Sequence, residues 1–159
     1  MFKFTYTKEN ILTDIKRIIS IVAKRTYGED GSKYALMTPS SNEMAVFDTF
    51  LTSSVIGVAA ELREWFTYDY REEGDNVLEF AMRSDSDANQ SLPVGDAIKT
   101  AIVSNMVARW LALVGMDSSL YIADYNNSIS QVKLMLSHRD KGSIYVNPLK
   151  PKNNKIENN

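Results

Sequence analysis

The sequence predicts a mainly helical fold. Four stretches repeat apolar residues every three or four positions, the spacing of one helix face, while the clearest period-two alternation is confined to residues 77–82. At 159 residues, with 44% apolar and 24% charged, the chain has the size and composition of one soluble domain able to bury its own core. The expected architecture is a four-helix bundle-like domain over residues 1–140. It carries a short β-strand or hairpin insertion at about 69–92 and ends in an extended C-terminal arm, residues 141–159.

The first helix is expected over about 9–25, where Ile11, Ile15, Ile18, Ile19 and Val22 form one stripe. Lys16, Arg17, Lys24 and Arg25 lie largely off it, and the last two suit the negative end of the helix dipole. Residues 26–41, with Gly28, Gly31 and Pro39, have loop composition. Ser40 followed by Glu43 matches a capping box and announces a second helix. Its stripe, Met44, Phe47, Leu51, Val55, Val58, Leu62 and Trp65, marks it as the expected central core helix.

Helical periodicity stops near Tyr68. In 77–82, Leu78, Phe80 and Met82 alternate with Val77, Glu79 and Ala81, the pattern of a projecting hairpin or edge strand with one buried face. The polar run Ser84–Pro93 is expected as an exposed loop. A third helix begins at Pro93–Asp96 and runs through Ile98, Ile102, Met106, Trp110 and Leu113 to a stop at Gly115. Asp117 or Ser118 caps a fourth, with Leu120, Ile122, Ile129, Val132 and Leu136 inward and its end near His138 and Arg139. The short join makes these two helices antiparallel neighbours. Beyond them, Ile144, Tyr145 and Val146 have strand character, and the Pro-, Lys- and Asn-rich tail is too poor in apolar residues to fold alone.

Composition and motifs narrow the chemistry. With no cysteine, disulfides, thiolate metal sites and cysteine nucleophiles are excluded. No apolar run of signal-peptide length begins the sequence, and no segment approaches the roughly 20 apolar residues of a membrane span, so an intracellular or virion-borne protein without membrane partners is expected. His138, the only histidine, suits a helix C-terminus and cannot build a histidine metal site alone. Phosphate-loop, dinucleotide and nucleophile-elbow signatures are missing. Asp85, Asp87, Asn89 and Asp96 partly mimic a calcium loop, but Gln90 replaces its turn glycine and Pro93 occupies the ninth position. The carboxylates at Glu61, Glu64, Asp69, Glu72 and Glu73 read as a solvated acidic face. No catalytic residue, cofactor or metal is expected, and a non-enzymatic binding or structural role is favoured. Trp65 and Trp110 are in phase with their helices' apolar stripes, which makes them core residues before base-stacking platforms.

Charge is unevenly spread. Residues 1–25 carry a net +4, residues 61–87 a net −6 and residues 139–159 a net +3. This is either ordinary solvated surface or a pair of complementary faces that steer like subunits head to side.

The run Ala101–Leu111, the turn after it, Tyr121–Tyr125 and Leu134–Arg139 resemble head-tail connector proteins of tailed bacteriophages, whose relatives include ring-forming neck proteins of gut phages, crAss-like ones among them. The likeness covers about residues 8–140 and lies in the order of helices, a Trp near a helix end and an Arg after the last helix. It implies a helical connector domain forming a closed ring, commonly a dodecamer, that docks on the portal, contacts another neck or tail ring and continues the DNA channel without reading sequence. In that setting Glu72, Glu73, Asp75, Asp85 and Asp87 would face a neighbouring subunit or the channel, where negative charge repels DNA phosphates. Ile144, Tyr145 and Val146 would add to a partner's sheet, with Lys150, Lys152 and Lys155 meeting acidic partner residues. The rival expectation is a small helical regulatory or nucleic-acid-binding module, centred on the basic first helix or the arm.

Overall fold

A computed structural model describes residues 3–28, 35–71, 76–82 and 91–140 and shows a mainly helical chain with a small three-stranded sheet. In chain order the elements are β1 (Lys3–Thr7), α1 (Lys8–Tyr27), α2 (Met44–Glu61), β2 (Phe66–Arg71), β3 (Val77–Met82), α3 (Ser91–Leu113) and α4 (Ser119–Asp140).

The sheet is antiparallel in the order β1-β3-β2, so β3 is its middle strand and not the projecting edge expected from sequence. Strand β1 was not anticipated, although Phe4 and Tyr6 alternate with Lys3, Thr5 and Thr7 in the required period. Register places Phe4 and Tyr68 opposite Phe80, with Phe66 opposite Met82. Aromatic rings therefore gather on the inner face: Phe80 lies 5.1 Å from Tyr68, 6.3 Å from Tyr6 and 6.5 Å from Phe66, centroid to centroid. Such aromatic pairs contribute roughly 0.5–1.5 kcal/mol each beyond their burial. On the other face Lys3 donates to Glu79 at 2.8 Å.

Thr7 ends β1 and caps α1, its hydroxyl accepting from the Asn10 amide at 3.2 Å. The buried stripe of α1 is Ile11, Ile15, Ile19 and Ala23, with Ile18 and Val22 at its margin. At Ser40 the expected capping box is half made. The Glu43 carboxylate accepts from the Ser40 amide at 2.9 Å and hydroxyl at 2.7 Å, a turn occupies residues 41–43, and the helix proper starts at Met44. Those two bonds hold the Glu43 carboxyl below its ordinary range, the backbone bond contributing most.

The central helix is α3, not α2. It is packed by α1, α2 and α4, and buries Val94, Ile98, Ile102, Met106, Val107, Trp110 and Leu111. A helix apolar on nearly every side belongs in the interior. Trp110 is the largest fully buried side chain among the described residues. Its indole N–H donates to the Met37 carbonyl at 2.7 Å and its ring meets Phe47 edge-on at 5.2 Å, so the segment read as a plain loop supplies Met37 to the core. Gly115 ends α3 at φ 76°: the Met116 amide reaches the Leu111 carbonyl at 2.8 Å and the Gly115 amide reaches Ala112 at 3.2 Å. That pair of bonds is a Schellman ending, which needs a left-handed residue at the glycine. Asp117 then accepts from the Ser119 amide at 2.9 Å and starts α4.

Candidate interaction surface

Glu72, Glu73, Asp75, Asp85 and Asp87 of the insertion, and Ile144, Tyr145, Val146, Lys150, Lys152 and Lys155 of the arm, lie outside the described residues. So do the calcium-like stretch 85–89 and the side chain of His138, which falls on the last turns of α4. Among the described residues no three His, Asp or Glu side chains gather in a group that could hold a metal.

The aromatic residues that invited a base-stacking reading are largely built into the protein. Trp110 is fully buried, and Trp65 packs half-buried against the core instead of joining it as expected. The Tyr6 hydroxyl donates to the Gly95 carbonyl at 2.6 Å, tying β1 to α3, and burial, with the nearby Asp96 charge, pushes it well above the ordinary phenol range. Tyr121 and Tyr125 are raised in the same direction by partial burial, beside Asp124 and Glu61 respectively.

What the fold leaves open is a set of helix faces without charge. On α2 the residues turned outward are Ala45, Val46, Thr49, Thr52, Ile56 and Ala60, and Asp48 is the one charged residue between Met44 and Ala60. On α4 the outward positions include Leu120, Ala123, Asn126, Asn127, Ser130, Leu134 and Ser137, again uncharged. Leu120 and Ile122, expected inward, are 64% and 48% exposed, because Tyr121, Tyr125, Ser128, Ile129, Val132 and Leu136 take the α3-facing side. Leu113, the expected end of the α3 stripe, is also exposed. A solvent-facing helix normally carries charge there, and loss of charge with retained aliphatics is the composition of an interface core.

The α2 face borders a partly open apolar pocket of about 160 Å³, lined by Leu51, Thr52, Val55, Ile56, Tyr68, Leu78 and the stem of Lys8. Charge lies at the margins. Lys8 pairs with Asp48 at 3.3 Å, and at the far end of α2 Glu61 accepts from Lys133 of α4 at 2.6 Å, so part of the sequence's charge asymmetry is neutralised inside the chain. Exposed Arg63 and Glu64 stand beside this Glu61–Lys133 pair just past the helix, whereas Asp69, opposite Glu79, lies on the other face of the sheet. A groove of about 260 Å³ between α1, α3 and α4 holds Arg17, Lys99, Asp14, Tyr121 and Asp124, with Lys99 bonded to Asp14 at 2.6 Å. Arg25 lies close enough to Tyr121 to act on its hydroxyl.

In length and composition α2 also reaches the minimum for crossing a membrane, against expectation, while its inner side packs on α3 and β2. Its 18 residues rise about 27 Å, just short of a bilayer's hydrocarbon core. No protein-family model matches the sequence, and neither a curated protein nor a solved structure is similar to it.

Proposed function

We propose that the chain is a structural subunit of a phage neck ring, a virion protein that docks on the portal and continues the DNA channel between head and tail. The observation that carries this is that α2 and α4 each turn outward an uncharged face, aliphatic with threonines on α2 and mixed leucine, asparagine and serine on α4. A subunit with two unlike sticky faces assembles head to tail, and such contacts close into rings when the rotation per subunit allows. The helices act as a four-helix bundle-like scaffold with the sheet as a stiff flank. The arm, residues 141–159, extends to the portal or an adjoining neck or tail ring, and DNA passes without sequence-specific contact.

Mass photometry of the purified full chain, alone and mixed with the portal of the same phage, tests this reading. A single discrete oligomer, most simply a dodecamer, is the expected result. A strictly monomeric protein that also ignores the portal refutes it. The rival, a small helical nucleic-acid-binding module, draws on the exposed Lys16, Arg17, Lys24 and Arg25 of α1. It requires salt-sensitive DNA binding by the monomer, which the ring reading does not predict.

A further inference from the structure

We infer that Ile144, Tyr145 and Val146, at the root of the arm, add to the outer edge of β1 of their own chain as a fourth strand of the sheet. The inference goes beyond the ring reading and does not depend on it.

β1 offers an edge that its own residues do not guard. It stands at one end of the order β1-β3-β2, and among the described residues no strand lies on its far side. Its five residues pair with β3 in unbroken register, from Lys3 opposite Ala81 to Thr7 opposite Val77. Edge strands are usually blunted by a proline, a bulge or an outward charge. β1 has neither proline nor bulge, and its one charge, Lys3, is turned back onto Glu79 of β3 at 2.8 Å. Phe4 lies over Gly95 of α3, and the Tyr6 hydroxyl donates to the Gly95 carbonyl at 2.6 Å. The strand is thus fixed in place with a row of backbone groups turned outward, which is a template for one more strand.

The path of the chain selects the occupant. α3 and α4 are joined by the five residues 114–118 and pack along each other, so they run antiparallel. Gly95 stands 18 residues before Leu113, and Ser137 stands 18 residues after Ser119, each about 27 Å from the join at 1.5 Å per residue. The last turn of α4 is therefore level with the start of α3, the end on which β1 sits. From Asp140, four extended residues span about 14 Å, enough to cross the roughly 8–10 Å between neighbouring helix axes. Outside the described residues, Ile144, Tyr145 and Val146 are the only run of three strand-forming side chains, and Pro148 closes it. The short tether from α4 holds this run at an effective concentration on the order of millimolar, so its own β1 is the first edge it meets, ahead of a second copy or the portal. Covering β1 keeps free subunits from pairing edge to edge. It leaves residues 147–159, with Lys150, Lys152 and Lys155, as the part of the arm that reaches a partner.

Amide hydrogen exchange of Lys3–Thr7 decides whether the edge is covered, and introduced disulfides decide by whose arm. All variants are full-length, and circular dichroism verifies their helices. The double substitution Ile144→Pro/Tyr145→Pro breaks the added strand whichever of the two N–H groups faces β1, since successive residues turn theirs to opposite sides. The β1 amides not bonded to β3 are expected to exchange about tenfold faster in that variant, while those bonded to β3 keep their rates. Equal exchange at every β1 amide overturns the inference. Because the chain has no cysteine, every disulfide formed joins introduced residues. Thr5→Cys is combined in turn with Ile144→Cys, Tyr145→Cys and Val146→Cys under mild oxidation. At least one pair should close within a single chain, seen as a faster-running monomer on a non-reducing gel. Covalent dimers without that band would assign the strand to a second copy, and no cross-link in any pair would take the arm off this edge; either result overturns the inference. Rings in electron micrographs with an uncovered β1 leave the ring reading standing without this strand, and a covered β1 without rings does the reverse.

Discussion

Replacing Trp110 tests the architecture most severely, because its indole is the largest fully buried side chain among the described residues and joins α3 to α2 and to Met37. Truncation to Ala removes a fully buried ring that meets Phe47 at 5.2 Å and donates to the Met37 carbonyl at 2.7 Å. Loss of a large buried aromatic costs about 3–5 kcal/mol. An orphaned carbonyl costs about 1–3 kcal/mol on its own, which puts Trp110→Ala near the top of that range. Against a total stability of about 5–15 kcal/mol, such a variant is close to unfolding at room temperature. Trp110→Phe keeps the edge contact and loses the hydrogen bond, so about 1–3 kcal/mol is expected. Urea titration followed by helical circular dichroism gives both numbers from the shift in midpoint. A loss below about 1 kcal/mol for Trp110→Ala would refute the packing and return α2 to the centre.

Gly95→Ala would set its new methyl 2.7 Å from the Phe4 ring; forcing β1 off α3 should cost about 1–3 kcal/mol, read as a lowered melting temperature, and an unchanged melt would show that β1 docks differently. Ser54 is fully buried with no hydrogen-bond partner for its hydroxyl, so Ser54→Ala should stabilise by about 0.5–2 kcal/mol in the same urea assay, and a destabilised variant would mean that the hydroxyl is satisfied. The folded-state pKa of Glu43 lies below its unfolded value, so its contribution is present above the unfolded carboxylate range and is lost as pH falls through the folded value. Glu43→Gln should therefore lower the melting temperature at neutral pH, with the gap to the unaltered protein closing in acid; a gap independent of pH would contradict the Ser40 assignment. A chain truncated after Arg139 should fold normally yet fail to attach to the portal in a pull-down, and full attachment would remove the arm from the mechanism.

The helices were legible in the sequence because their inward residues follow the helical period and their ends carry recognisable chemistry, as at Gly115 and Asp117. The sheet was only partly legible. Phe66, Tyr68 and Tyr70 alternate with Thr67, Asp69 and Arg71, yet no Gly or Pro separates them from α2, so Trp65 read as a seventh in-phase helical position. The order of α2 and α3 was inverted for an instructive reason. Both are nearly uncharged, and a missing charge reads as burial whether the face is covered by the protein's own core or awaits a partner. The uncharged run is longer in α2, twelve residues from Thr49 to Ala60 against nine from Thr100 to Ala108, so missing charge by itself ranks the two helices in the wrong order. In α4 the tyrosines at 121 and 125 claimed the inner side, and Leu120 and Ile122 turned outward, since an amphipathic ring can line the core with its hydroxyl at the edge. The candidate surface was thus hidden in residues the periodicity assigned to the interior.

Negative-stain electron microscopy of the purified full-length protein, alone and with the portal of its phage, tests the central claim most directly. The account predicts uniform closed rings with a central opening. Monomers or two-fold dimers that form no ring in either setting would contradict it.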